Sequence, residues 1–221
     1  LLHHTTRIPL TVQRVLYLDE DQPDRATVFI ANPTAGLLAG DHHTISVSVQ
    51  AGARARVTTQ AATKVLSMSG GCAIQITRLT VADGAALEYV PEPLIPFRGA
   101  HLQQRIHLEV AQHGTLAYLD IIGAGRVSHG EAYAYECLTW DLLVTRPSGE
   151  DLYVESAMLQ PRSSALTAPG VVGESNAVGT LIIVDGAQDP RAMLHHLQLS
   201  AVWASDRLAD RKSTRLNSSH T

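Results

Sequence analysis

The sequence predicts a mainly β protein, a single domain of stacked sheets with a β-solenoid-like body and few helices. Three observations carry that expectation. First, one pattern recurs: VSVQAGARARV at 47–57, LTVADGAALEYV at 79–90 and LEVAQHGTLAYL at 108–119 each give an alternating strand, a glycine turn and a second alternating strand. The turn glycines Gly52, Gly84 and Gly114 lie 32 and 30 residues apart. A period near 30 that delivers two strands each time implies strand pairs stacked so that each buries its apolar face on the next. Second, apolar and polar residues alternate within these segments with the two-residue period of a half-buried strand. Third, helical periodicity is scarce before Asp189-Pro190. A β-sandwich of stacked layers satisfies the same observations.

Taken in order, residues 11–18 (TVQRVLYL) and 26–31 (ATVFIA) read as two strands around an acidic turn at 19–24. Asn32-Pro33 and the run from Gly36 to Gly40 then reverse the chain, because proline fixes φ and glycine admits φ > 0. Asp41 stands at the exit of that turn. Ile45, Val47 and Val49 alternate with Ser46 and Ser48, Ala51-Gly52 turns, and 53–59 forms the return strand. The two further units follow. A weaker fourth, LLVTRPSGEDLYVE, turns at Pro147-Ser148-Gly149. Between these units, Glu131, Tyr133 and Tyr135 share one face of a strand, with Ala132, Ala134 and Glu136 on the other. Glu136 is then the odd carboxylate on a small apolar face, a solvated edge position being the alternative. Residues 163–179, rich in Ser, Ala, Gly and Pro, read as a mobile loop. Pro190 is placed to open a helix with Ala192, Leu194, Leu197 and Ala201 on one face, although HLQLSAVW alternates equally well as a strand.

Composition narrows the function. The chain carries 17 basic and 21 acidic residues, with arginines spread singly, which argues against nucleic-acid binding. Its two cysteines, Cys72 and Cys137, form no CxxC pair, as expected of a reducing, cytoplasmic location. No apolar run approaches the roughly 20 residues of a membrane helix, and no signal peptide is visible. DRKSTRLNSSH at 210–220 reads as translated sequencing adapter, so native sequence is expected to end near Ala209, leaving 1–209 as one β domain; a genuine polar tail is the alternative.

Eleven histidines raise the question of metal. His42-His43 and His195-His196 are adjacent pairs, and neighbours on a strand point to opposite faces, so each pair offers one imidazole to a given site. Closed zinc spacing is not encoded. Surface or structural histidines are one reading, and open, transient binding of a borderline metal such as nickel by imidazole and carboxylate is the other. The sequence has no GxSxG, Cys72 has no nearby histidine, and no GxxxxGK[ST] loop is present, so neither a nucleophilic triad nor nucleotide binding is expected. Thr58-Thr59-Gln60-Ala61-Ala62-Thr63-Lys64 breaks the arginine bias of the chain with its one lysine before the suspect tail.

Four ordered motifs, NPTAGLLAGD, TTQAATKV, ALEYVPEPLIPFRGA and DIIGAGRVSHGE, resemble the urease accessory proteins of the UreD type, also called UreH. The resemblance runs from about Thr11 to Leu159. It implies a non-enzymatic scaffold of stacked sheets that docks on the urease apoprotein and on UreF, through which the GTPase UreG delivers nickel, with a passage for nickel through the protein. No tightly bound cofactor, nucleic acid or membrane is implied. Within the matched motifs Asp41, Thr58, Thr59, Lys64, Arg126 and Glu131 are the polar positions carried over, with Gly36 and Gly40 as turn positions, and the resemblance assigns them no individual roles. Asp41 and Glu131 are expected to act as oxygen ligands or electrostatic guides for Ni²⁺, because a carboxylate binds such an ion without trapping it. One departure is Ala39, where the family pattern has glycine; at φ > 0 alanine costs about 1 kcal/mol. Two other classes stay open: a small metal-dependent hydrolase using Asp41, His42 or His43 and Glu131 with an open position for water, and a purely structural interaction module.

Overall fold

Alternation and glycine turns give strands where the sequence places them. In the computed structural model, which describes residues 3–163, 166, 168, 172 and 175–186, β1 (Thr11–Val12) and β2 (Ala26–Ala31) precede three stacked coils. The first coil holds β3 (His42–Val49), β4 (Arg54–Thr59) and β5 (Thr63–Val65). The second repeats it with β6 (Ala73–Val81), β7 (Ala86–Tyr89) and β8 (Leu94–Pro96), and the third consists of β9 (His101–Val110) and β10 (Thr115–Gly123). A hairpin follows, β11 (Gly125–Arg126) and β12 (Glu131–Ala132), joined by one 3₁₀ turn, and then β13 (Cys137–Thr145), β14 (Asp151–Leu159) and β15 (Ala177–Asp185). The chain packs as one unit at Leu1–Val184 and a second at Asp185–Thr221. The segment after Pro190 and the 210–220 run lie outside the described residues. No helix among the described residues is long and apolar enough to cross a membrane.

Corresponding strands of successive coils pair in parallel. Val49 is in register with Val81 and Val81 with Val110, while Val57 pairs with Tyr89 and Tyr89 with Tyr118. One sheet runs β3-β6-β9-β13-β14, and the other runs β1-β2-β4-β7-β10 and continues through β8 to β5, with β15 on β10. This is the stacked-sheet solenoid expected from the 30-residue repeat. Between the sheets lies one cluster that includes Val49, Leu79, Val81, Leu87, Leu108, Val110, Leu116 and Val144, all buried. Each such side chain removed from water contributes about 1.5–3 kcal/mol before the entropy of ordering it is counted. On the outer face of the second sheet, Arg25 is buried against Asp19 and Glu88, tying the N-terminal turn to the second coil, and Arg56 lies 3.7 Å from Glu88.

Several local expectations differ from the structure. The fourth unit adds one parallel strand, β13 on β9, but its turn sends β14 back antiparallel within the same sheet. Pro147 has no N–H to extend a ladder, and Arg146 N–H closes the reversal on Glu150 O at 2.9 Å. The Arg146 guanidinium also donates to Val110 O and Ala111 O, covering the turn of the third coil. Of 11–18, only Thr11–Val12 is strand, with an isolated bridge from Leu16 to Thr27. The loop expected at 163–179 ends early, since β15 begins at Ala177. Alternation fails after Ala132 because Tyr133 takes φ +52. Glu136 is accordingly exposed, 3.3 Å from Arg162, the solvated edge alternative.

Candidate functional site

The motif at 32–41 docks on the motif at 58–65. Leu37 N–H donates to Lys64 O at 2.8 Å and Leu66 N–H to Leu37 O at 2.9 Å, a parallel bridge that buries Leu37 and Val65 completely. The approach is so close that a Cβ on Gly36, at φ +149, would stand 2.4 Å from Lys64 O. Glycine is required there. Lys64 serves this contact through its backbone, and its side chain is exposed. Gly40 holds φ +86, whereas Ala39 is not among the positive-φ residues, so the departure from the family pattern costs no backbone strain. Asp41 Oδ2 accepts the Leu38 N–H at 2.8 Å and closes the turn. Thr58 Oγ1 donates to Val90 O at 2.7 Å, and Thr59 Oγ1 accepts the Glu92 N–H at 2.9 Å. Both threonines therefore pin the corner of the first coil to that of the second.

Arg126 and Glu131 face each other across the β11–β12 hairpin. Arg126 Nε donates to Glu131 Oε2 at 2.8 Å and Nη2 to Oε1 at 2.7 Å, a two-point fork, while Arg98 Nε lies 3.5 Å from the same Oε1. Arg126 also lies 4.3 Å over the Phe97 ring, a favourable cation–π contact. The fork from Arg126, with lesser help from Arg98, holds the Glu131 carboxyl down at about 2. Gly125, at φ +123, lets the hairpin approach, since a Cβ there would meet Glu131 O at 2.4 Å. Both oxygens of Glu131 are engaged by arginine, so this geometry favours a locked hairpin and an electrostatic role over cation ligation.

The sequence reading missed the most unusual polar group. Leu116, Tyr118, Asp120 and Ile122 share the inward face of β10, which puts a carboxylate on an apolar face. Tyr118 stacks on Tyr89 at 5.8 Å, and its hydroxyl lies 3.5 Å from Asp120 Oδ2. Burial raises the Asp120 carboxyl above the usual range, opposed by hydrogen bonds from Ile121 N–H, Tyr118 and Gln104. A small cavity touches Asp120, lined also by Ile106, Tyr118, Trp140, Val178 and Thr180. Trp140 donates its indole N–H to Glu155 Oε1 at 2.8 Å, and Tyr153 O–H donates to Glu155 Oε2 at 2.8 Å. The facing sheet supplies one polar row. His43 is in register with Gln75, Gln75 with Gln104, and Gln104 with Trp140. Burial also lowers the His43 imidazole, partly offset by Asp41. The sequence signal for Asp120 is the alternation LAYLDII, which sets it on the same face as Leu116, Tyr118 and Ile122.

Among the described residues, no three of His, Cys, Asp and Glu gather as a metal centre, so the hydrolytic arrangement of Asp41, His42 or His43, and Glu131 is not assembled. What the coils and their interior define is a β-solenoid scaffold with a polar level inside its core. A family model described as UreD urease accessory protein matches residues 1–219, including most of the stretch read as adapter. Named relatives agree. A urease accessory protein UreD of Cenarchaeum symbiosum is 31% identical over 85% of this chain and 66% of its own length. UreD 2 of Streptomyces griseus is 33% identical over 83% and 64%, and UreD of Yersinia enterocolitica 34% over 85% and 60%. The chain belongs to the UreD urease accessory protein family, and it spans somewhat less than two thirds of the length of these curated relatives.

Proposed function

We propose that the protein acts in urease maturation as a cytoplasmic scaffold that docks on UreF and on the urease apoprotein and passes nickel, received from UreG through UreF, toward the enzyme. One observation supports the nickel part of this reading: a half-buried carboxylate, Asp120, on the inward face of β10, set in a polar level that crosses an otherwise apolar core. Taking a carboxyl out of water costs stability even when hydrogen bonds offset part of the loss, so an aliphatic residue would serve a purely structural module better. A cation in transit gains a ligand that holds it weakly. Carboxylate and imidazole donors suit a borderline divalent ion, and a second carboxylate, Glu155, is hydrogen-bonded to Trp140, which lines the cavity, and to Tyr153. Asp41 is the rim carboxylate of the same reading, and nickel is cargo here, with no tightly bound cofactor proposed. Two free thiols, Cys72 and Cys137, fit a reducing cytoplasm.

The test is activation of urease apoprotein reconstituted with UreF, UreG, nickel and this chain. Asp120→Asn keeps the shape and the hydrogen bonds on one side of the group. It is expected to leave the UreF complex intact on gel filtration and to lower the nickel content of urease several-fold. Full nickel loading by Asp120→Asn would remove the interior passage from the proposal, and failure of the parent chain to bind UreF would remove the scaffold.

A further inference from the structure

Among the described residues the first sheet ends at β3, and that edge is unguarded. Natural sheet edges carry charges, prolines or bulges that stop another strand from adding. Across its 8 residues β3 has no Lys, Arg, Asp, Glu or Pro, and it pairs with β6 from His42 to Val49 without a register shift. The opposite edge is guarded, since β14 carries Asp151 and Glu155 and its pairing with β13 is irregular between Val144 and Thr145. Half of the β3 backbone is spent on β6, with Ile74 N–H donating to Asp41 O and Ala82 N–H to Val49 O. A parallel ladder uses alternate residues of a strand, so His43, Ile45, Val47 and Val49 face β6, and the N–H and C=O groups of Thr44, Ser46 and Ser48 face the open edge.

The inward side chains of β3 are also short of a neighbour. Ile45 and Val47 are half-buried, whereas Thr77 and Leu79, in register with them one coil further on, are 3% and 1% exposed. On the facing sheet the stack continues past β4 to β2 and β1. Val28 of β2, in register with the buried Val57, is half-buried as well. Opposite β2, beside β3, the described residues place no strand. We propose that this slot takes one extended, uncharged segment of a partner polypeptide, which adds to β3 as a sixth strand. Its backbone pairs with Thr44, Ser46 and Ser48, and every second side chain, apolar, completes the rows of Ile45 and Val47. A second copy of this chain is the poorer occupant, because two chains joined through β3 would bring the second sheet of each against the β2 and β1 of the other. The inference rests on the reading that the protein docks on UreF and the urease apoprotein, and it gives that docking a surface and a mode of pairing.

Hydrogen–deuterium exchange resolved to single residues by mass spectrometry tests it, on the full chain alone and with UreF or urease apoprotein added separately. In the chain alone the Thr44, Ser46 and Ser48 amides are expected to exchange far faster than those of Ile45 and Val47. With one of the two proteins bound they are expected to slow by about 100-fold or more. Ser46→Pro removes an edge N–H that β6 does not use, a position where a strand tolerates proline, and should weaken that complex about tenfold or more. Ser46→Ala keeps the amide and should bind within about twofold of the parent. Edge amides already protected in the chain alone would overturn the proposal, since its own residues or a second copy would then fill the slot. Binding by Ser46→Pro equal to the parent would overturn it as well. A complex in which the edge amides stay fast would remove the strand addition alone, whereas failure to bind either protein would remove the scaffold reading and the slot's partner with it.

Discussion

Gly36→Ala is the sharpest probe of the corner on which the opening motifs meet. The new Cβ would stand 2.4 Å from Lys64 O and 3.0 Å from Lys64 Cβ, and the residue would have to hold φ +149. Positive φ at a non-glycine costs about 1–3 kcal/mol. Relieving the overlap separates Leu37 from Lys64, which weakens the two backbone bonds of 2.8 and 2.9 Å made by Leu37 N–H and Leu37 O. At about 1 kcal/mol net each, those bonds bring the expected loss to about 3–5 kcal/mol. That is a large part of the about 5–15 kcal/mol by which domains are stable. Gly40→Ala is the control, because Gly40 shares a positive φ of +86 but has nothing within 4 Å of its would-be Cβ. It should cost only the strain, about 1 kcal/mol. Urea unfolding followed by circular dichroism measures both. Equal losses for Gly36→Ala and Gly40→Ala would refute the close approach as the reason for glycine at 36.

Two pH-dependent outcomes follow from the carboxylates. Glu131, held at about 2 against an ordinary 4.5, contributes stability that is complete above pH 4.5 and lost as pH falls through about 2. A carboxyl titration by nuclear magnetic resonance should place its midpoint near 2; Arg126→Gln should move it toward 4.5, and Arg98→Gln should move it less. A parent midpoint near 4.5 would show that the fork does not form in solution. Asp120 has the opposite sign. Its raised carboxyl means that the native state binds the proton more tightly than the unfolded chain, so stability falls as pH rises through its native value. Asp120→Asn should remove that fall and melt higher than the parent at neutral pH, and a lower melting temperature there would contradict burial as the dominant cause.

The body of the fold was legible because the coil period and the strand period were both written in apolar residues. Val49, Val81 and Val110 announce the stack, and Gly52, Gly84 and Gly114 announce its turns. What alternation could not supply was the destination of each turn. Pro147-Ser148-Gly149 resembles the earlier turns in composition, yet a hydrogen bond from Arg146 to Glu150 makes it a hairpin, and a bond between chain segments is not a property of either segment alone. The site was less legible for a related reason. Thr58, Thr59, Lys64 and Gly36 look like chemistry in a string of letters, and their work is to join chain segments about 30 positions apart, the threonines through their hydroxyls to backbone groups and Lys64 and Gly36 through their backbone. In the sequence Glu131 reads as an oxygen ligand or electrostatic guide for Ni²⁺, because its partners, Arg126 and Arg98, face it only after the hairpin closes.

A solenoid converts a sequence period into a spatial row, since a residue in one coil lies about 4.8 Å from its counterpart in the next. The conversion makes aliphatic rows into a core, and it does the same for polar ones. His43 in β3 and Gln104 in β9 are single polar interruptions of their inward faces, and Gln75 in β6 is followed there by Thr77, each readable as a local accident. In register they form one line across the sheet, with Trp140 at its end and Asp120 joined to it through Gln104. Further along the same strands the rows return to Val47, Leu79, Leu108 and Val144, which shows that aliphatic side chains fit this backbone. The polar level is therefore a choice of residue and not a demand of the coil, and it lowers stability wherever a buried group lacks a full set of partners. Positions that break the local rule against a gradient of stability are where function is to be sought, and here they point to the interior of the scaffold rather than to the motifs on its corners.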